Sequence, residues 1–127
     1  MSALARILYV EDDPDIQAVA QLALEAVGGF TVYLSDSGAD GLLAAAREQP
    51  DLILLDVMMP GMDGPTTLAS LRADPDVMGI PVIFVTAKVQ PAEVEHFTSL
   101  GALGVISKPF DPMTLADVVT ELWARRP

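Results

Sequence analysis

The chain has 127 residues, enough for one domain with a substantial core, and a formal net charge of −11 at pH 7. Its few lysines and arginines are scattered, which argues against direct binding of nucleic acid, and the absence of cysteine excludes disulfides, thiolate metal sites and cysteine nucleophiles. No apolar run approaches the ~20 residues of a membrane span and the amino terminus does not resemble a signal peptide, so we predict a cytoplasmic protein without membrane contact.

The first half of the chain alternates between apolar runs and segments of helical spacing. Strands are predicted at 6–10 and 30–34. A first helix is expected to begin at Pro14, with Asp13 as its cap, and to end at Gly28. A second helix begins after Ser37 with a capping-box pattern and stops before Pro50. The apolar residues expected on the inner faces of these helices are Ile16, Val19, Ala20, Ala23, Val27, Leu42, Leu43 and Ala46.

In the second half, four branched apolar residues at 52–55 end on Asp56. This run is too short and too uniformly apolar for an amphipathic helix, and it is typical of a parallel strand buried on both faces. A helix capped by Asp63 follows as far as Arg72.

Further strands are predicted at 81–86 and 103–107, with a helix at 91–100 between them. The last helix is expected to begin at Asp111 and Pro112. The alternation predicts one α/β domain with a parallel sheet, helices on both faces and right-handed crossovers. The inward-facing residues of the last two helices are predicted to be Val94, Phe97, Leu100, Leu115, Val118, Val119 and Leu122.

Polar residues follow the buried strands directly. Glu11 and Asp12 follow the first strand, Asp56 ends the third, Thr86 ends the fourth and Lys108 follows the fifth. If these strands are neighbours, the five side chains meet at one edge of the sheet, where ligands bind in open α/β folds.

Three carboxylates in one pocket repel each other unless a cation joins them, and Mg²⁺ prefers such oxygen ligands. Lys108 supplies a positive charge for a phosphate, and Thr86 supplies a hydroxyl donor. A carboxylate such as Asp56 can accept a phosphoryl group as an acyl phosphate. Each residue alone also has an ordinary interpretation, as an acidic helix cap, a strand end or a surface lysine. Their shared position after buried strands favours the phosphoryl-transfer site.

The chain resembles the receiver domain of two-component response regulators, similar to single-domain chemotaxis regulators, from Arg6 to about Arg125. The matching motifs are VEDD at 10–13, LLDVMMPGMDG at 54–64, VTA at 85–87 and KPF at 108–110. The resemblance implies a flavodoxin-like doubly wound fold, with five parallel strands in the order 2-1-3-4-5 and five helices. It also implies a signalling protein that catalyses only its own phosphorylation and dephosphorylation.

The resemblance further implies that Asp56 accepts a phosphoryl group from a sensor histidine kinase or a histidine phosphotransfer protein. Thr86 and Lys108 would bind that group, and the Lys108–Pro109 bond would be cis. The implied Mg²⁺ ligands are Glu11, Asp12, Asp56 and the backbone carbonyl of Met58.

One position departs from the family pattern. Receivers usually carry Tyr or Phe where this chain has Val105. Met58 and Lys88, two residues past Asp56 and Thr86, are expected to influence the lifetime of the phosphoryl group. We expect the surface of the fourth helix, fifth strand and fifth helix to carry partner binding or phosphorylation-dependent dimerisation; its predicted members are Val94, Phe97, Val105 and Leu115.

Two questions stay open at this point. Residues 1–127 are predicted to be a single receiver domain with no output domain, either as a stand-alone protein or as a fragment of a longer regulator. The alternative functions are an aspartyl-phosphate hydrolase and a phosphorylation-independent adaptor. Such hydrolases favour a second aspartate where this chain has Met58, and an adaptor would predict decay of the pocket residues.

Overall fold

The computed structural model describes residues 3–127, in which strands and helices alternate along the chain as predicted. The strands are β1 (Arg6–Val10), β2 (Thr31–Ser35), β3 (Leu52–Asp56), β4 (Val82–Thr86) and β5 (Gly104–Ser107). The helices are α1 (Pro14–Leu22), α2 (Gly38–Glu48), α3 (Gly64–Ala73), α4 (Pro91–Ser99) and α5 (Leu115–Ala124). A π-helical segment, Ala23–Val27, continues α1.

The strands form one parallel sheet in the order β2-β1-β3-β4-β5, which confirms the predicted flavodoxin-like topology. Strands β3 and β4 are buried along their whole length, because helices cover both faces of the sheet. The strand order reverses between β1 and β3, and this reversal opens a crevice at their carboxyl ends. Glu11, Asp12 and Asp56 lie at that edge.

Several apolar side chains that we expected to face the core are instead exposed: Val19, Val27, Leu43, Ala46, Leu100 and Val118. In α2 the reason is close packing against β1. A Cβ atom at Gly41 would lie 2.8 Å from Val10 Cγ2, so Ala44 and Ala45 fill the inner face. In the first helix, the wider π-helical turn changes the phase, and Leu24 is buried where Val27 was expected.

The last helix begins later than predicted, at Leu115. The side chain of Asp111 accepts a hydrogen bond of 2.8 Å from the Met113 amide, and its carbonyl accepts bonds from the amides of Thr114 and Leu115. Asp111 therefore stabilises a turn that leads into the helix. Asp side chains commonly form such turns by accepting a hydrogen bond from the backbone amide two residues later.

Within residues 3–127, every helix falls short of the length and apolar character needed to cross a membrane.

Candidate functional site

Glu11 follows β1 and is almost completely buried, with 1% of its surface exposed. Its Oε1 accepts a 3.2 Å hydrogen bond from the Tyr9 hydroxyl and lies 2.5 Å from Lys108 Nζ. Its Oε2 accepts a 3.1 Å bond from the Asp13 amide, and its backbone carbonyl accepts a 2.6 Å bond from the Gln17 side chain. Both the backbone and the carboxylate of Glu11 are thus held in place by neighbouring groups.

The other two acidic residues after β1 have different roles. Asp13 is the N-cap of α1, because its carboxylate accepts a 2.8 Å bond from the Asp15 amide. Asp12 is exposed, and among residues 3–127 no lysine or arginine pairs with it. Asp12 is therefore the carboxylate of the run that remains available to an external cation.

Asp56 ends β3 and is 3% exposed. Its Oδ1 accepts a 2.9 Å hydrogen bond from Lys108 Nζ, so that lysine joins Asp56 to Glu11. Burial acts to lower the pKa of Lys108, but its hydrogen bonds and charge interactions with Glu11 and Asp56 outweigh burial and raise the pKa above the ordinary value. The Lys108 side chain therefore remains charged. The backbone amide of Lys108 donates a hydrogen bond to the backbone carbonyl of Thr86. The Lys108–Pro109 bond is cis, as the resemblance implies.

The loop between β3 and α3 returns to the backbone of Asp56. The Gly64 amide donates a 2.9 Å hydrogen bond to the Val57 carbonyl, and a Cβ atom at Gly64 would lie 2.5 Å from the carbonyl oxygen of Asp56. Only glycine permits that approach. Asp63 caps α3 through the Thr66 amide, and hydrogen bonding from the side chain and the amide of Thr66 lowers the pKa of the Asp63 carboxyl.

A cavity of about 280 Å³ brings most of the predicted site together. Its lining includes Glu11, Asp12, Asp56, Met58, Thr86 and Lys108, and Met58 is 70% exposed. The hydroxyl of Thr86 accepts a 3.1 Å bond from the Lys88 amide, while the side chain of Lys88 is exposed and lies outside this lining. Val105 also lies outside it, on β5 opposite Phe84.

The sequence reasoning missed Tyr9. Burial raises the pKa of the Tyr9 hydroxyl far above its ordinary value, and the charge of Glu11 and the hydrogen bond to it raise the pKa further. The hydroxyl therefore stays protonated and acts as a donor. The signal was present in the spacing, because residues two apart on a strand share a face and Tyr9 precedes Glu11 by two.

The carboxylates fit a divalent cation. Glu11, Asp12 and Asp56 each offer an oxygen atom, and these atoms lie within 4.8 Å of one another. One lysine cannot balance three carboxylates, and an all-oxygen donor set is the kind that Mg²⁺ prefers.

A family model for the response regulator receiver domain matches residues 7–120. Protein PilH of Pseudomonas aeruginosa is 35% identical over 121 residues, which cover 95% of this chain and 99% of PilH. The DNA-binding response regulator MtrA of Mycolicibacterium smegmatis is 38% identical over 110 residues, which cover 87% of this chain. The chain spans 46% of the length of MtrA and is therefore comparable to only part of that protein.

Solved structures show the same architecture. The chemotaxis response regulator CheY4 of Vibrio cholerae superposes with a TM-score of 0.86 at 27% identity, covering 94% of this chain and 99% of CheY4. The N-terminal domain of a response regulator receiver protein from Methanoculleus marisnigri superposes with a TM-score of 0.77 at 38% identity, covering 98% of this chain and 100% of that domain.

Proposed function

Because the chain belongs to the response regulator receiver domain family of two-component signalling, we propose that Asp56 accepts a phosphoryl group from a histidine kinase or a histidine phosphotransfer protein. The observation that carries this proposal is the position of Asp56, buried at the sheet edge, bonded to Lys108 and clustered with two other carboxylates. The phosphorylated protein then acts through altered contacts with other proteins, in the cytoplasm.

The transfer is a displacement at phosphorus. Lys108 holds Oδ1 of Asp56, and no hydrogen bond reaches Oδ2 from residues 3–127, so Oδ2 is the attacking atom. A bond forms between Oδ2 and phosphorus while the phosphorus–nitrogen bond of the donor phosphohistidine breaks, and the imidazole nitrogen keeps the electron pair. The charge of Lys108 and the hydroxyl of Thr86 stabilise the phosphoryl oxygens.

Glu11, Asp12, Asp56 and the carbonyl of Met58 would hold Mg²⁺, which supplies neutralisation of the charge on the phosphoryl oxygens. The exposed Asp12 is suited to first contact with the ion, because Glu11 and Asp56 are already bonded to Lys108.

The two alternative functions have less support. A hydrolase needs an acid–base group near the acyl phosphate, and the thioether of Met58 has no proton to donate. An adaptor has no requirement for a half-buried lysine between two buried carboxylates, an arrangement that costs desolvation energy.

Phosphorylation of the acceptor is tested with acetyl phosphate and Mg²⁺, followed by intact-mass measurement. We expect one added phosphoryl group on the parent and none on Asp56→Asn, which keeps the shape of the side chain but removes the nucleophile. Asp51→Asn is the matched control, since Asp51 lies at the opposite end of the strands, before β3. This variant should be labelled like the parent. Equal labelling of Asp56→Asn would refute the assignment.

The predicted partner surface needs a correction, because Phe97 and Leu115 are core residues. The ring of Phe97 packs 5.1 Å from the ring of Phe84, which lies two residues before Thr86 on β4. We therefore propose that α4 is coupled to Thr86 through Phe84 and Phe97, without an aromatic residue at Val105. The surface offered to partners then includes the exposed residues Leu100, Met113 and Val118.

This coupling is tested by comparing NMR amide shifts with and without beryllofluoride, an acyl-phosphate mimic, in the presence of Mg²⁺. We expect changes in the loop after Thr86 and along α4, because α4 packs against β4. A silent α4 would contradict the coupling. Val105→Tyr is the companion variant, and an unchanged response in it would show that the missing ring is irrelevant to the switch.

A further inference from the structure

Tyr9 is a polar side chain on a strand that is otherwise aliphatic within the core. Its neighbours Ile7 and Leu8 are fully buried, and Tyr9 itself is 0% exposed. The hydroxyl points along the strand toward the site and donates to Oε1 of Glu11, the same oxygen that Lys108 approaches. A valine or isoleucine at this position would fill a buried strand without requiring a hydrogen-bond partner.

Resting on the proposed function, we propose that Tyr9 is a positioning residue that holds the Glu11 carboxylate for Mg²⁺ binding. The Glu11 carboxylate has restraints on both oxygens, Tyr9 and Lys108 on Oε1 and the Asp13 amide on Oε2. Without the Tyr9 hydroxyl, repulsion from Asp12 and Asp56 is opposed at Oε1 by Lys108 alone. The carboxylate is then held less firmly in the cluster, by Lys108 at Oε1 and by the Asp13 amide at Oε2.

This role differs from simple satisfaction of a buried hydroxyl. A tyrosine that only fills space would tolerate replacement by Phe with no change at Glu11. A positioning tyrosine acts through Glu11, so its removal must change the groups that share the carboxylate. The Asp13 amide is the most direct reporter, because it donates to Oε2 of the same carboxylate.

The experiment compares Tyr9→Phe with Tyr33→Phe. Tyr33 is the matched control, since its hydroxyl is also hydrogen-bonded, here as the acceptor of bonds from the Arg6 guanidinium, at the opposite end of the sheet. In the metal-free protein we expect the Asp13 amide signal to shift in Tyr9→Phe and to stay unchanged in Tyr33→Phe. With Mg²⁺, titrated through the same amide spectra, we expect roughly tenfold weaker binding in Tyr9→Phe, the usual cost of losing a group that orients a metal ligand.

A second pair of variants shows whether Tyr9 acts through Glu11. In a Glu11→Ala background, adding Tyr9→Phe should leave Mg²⁺ affinity unchanged, because the carboxylate that Tyr9 orients is gone. An additional tenfold loss in that background would overturn the positioning role, as would parent-like Mg²⁺ affinity and an unshifted Asp13 amide in Tyr9→Phe. If the parent binds no Mg²⁺, the proposed function itself fails; if the parent binds it and Tyr9→Phe binds it equally well, only the role of Tyr9 fails.

Discussion

The two ends of the sheet use the same residue types for different purposes. At the amino end, Asp51 Oδ2 accepts hydrogen bonds of 3.0 and 2.9 Å from the amides of Ala5 and Arg6. The guanidinium of Arg6 donates to the Tyr33 hydroxyl, and that of Arg72 donates to the carbonyls of Met78 and Ile80. Charges at this end complete the hydrogen bonding of nearby loops.

At the carboxyl end, charge remains in excess. Glu11 and Asp56 share one lysine, and Asp12, which clusters with them, has no ion-pair partner among residues 3–127. The two tyrosines show the same contrast, because Tyr33 meets a cation at the amino end and Tyr9 meets a carboxylate at the carboxyl end. The candidate site therefore differs from the amino end in the charge that the fold concentrates there without neutralising it, and not in the presence of charged residues.

The largest expected effect is a loss of stability on removing Lys108, the shared partner of the two buried carboxylates. Lys108→Met should lower the free energy of unfolding in metal-free solution by about 3 kcal/mol, because two buried carboxylates lose their shared partner. Urea unfolding at pH 7 with a chelator measures this change, and Mg²⁺ should recover part of the loss.

Lys88→Met is the matched control at the same end of the sheet. Its side chain is exposed, so the change should stay within about 0.5 kcal/mol. Equal losses of unfolding free energy in Lys108→Met and Lys88→Met would mean that Lys108 stabilises the fold no more than an exposed surface lysine does.

A smaller expected effect is the stabilisation by Mg²⁺ that depends on Asp12, the carboxylate without an ion-pair partner among residues 3–127. Mg²⁺ at ten times its dissociation constant should stabilise the fold by about 1.4 kcal/mol, seen as a rise in Tm. Asp12→Ala should remove most of this rise, because Asp12 is the exposed member of the cluster.

Asp15→Ala and Asp51→Ala are the controls, one exposed near the pocket and one at the amino end. Both should keep the full Mg²⁺ response. A parent-like response in Asp12→Ala would exclude Asp12 as a ligand.

The smallest effect concerns a carboxylate at the functional end that serves only the backbone. Asp63→Ala should lower the free energy of unfolding by about 1 kcal/mol at pH 7 through loss of the α3 cap. The folded-state pKa of Asp63 is lowered, so the contribution of its charge is present above the unfolded value of about 3.9 and is lost as the pH falls below it.

Asp63→Asn keeps an accepting oxygen and should retain most of the stability at pH 7 while losing that part of the pH dependence. The free energy of unfolding in urea, measured at several values between about pH 3 and pH 7, distinguishes Asp63→Ala from Asp63→Asn. If both lose stability equally, the charge rather than the cap geometry is what matters.

The strands and their carboxyl ends were predictable because their signals are local. The run at 52–55 is apolar at every position, and it ends on Asp56 in the structure as predicted. Neighbouring parallel strands then bring Asp56, Thr86 and Lys108 to one edge. The inner faces of the helices were less predictable, because Gly28 comes so close to Ala116 that a Cβ atom would lie 2.8 Å from that side chain. Such packing depends on residues far apart in the chain and leaves no periodic signal.

The hydrogen bonding of the site was also beyond local signals. That Lys108 reaches both Glu11 and Asp56 follows from the sheet order, since β1 lies beside β3 and β5 lies beyond β4. The position of Met58 at the rim was anticipated, whereas the direction of its carbonyl stays a prediction.

The contact between Gly64 and the backbone of Asp56 has a consequence for how this protein can diversify. Residues 57–63 form a closed segment whose two ends meet at the Val57 carbonyl and the Gly64 amide. An insertion there would have to bulge outward past Met58 or separate α3 from the acceptor strand. Relatives of this chain should therefore differ in length in the turns at the amino ends of the strands. Within residues 57–63 they should differ only in the type of side chain.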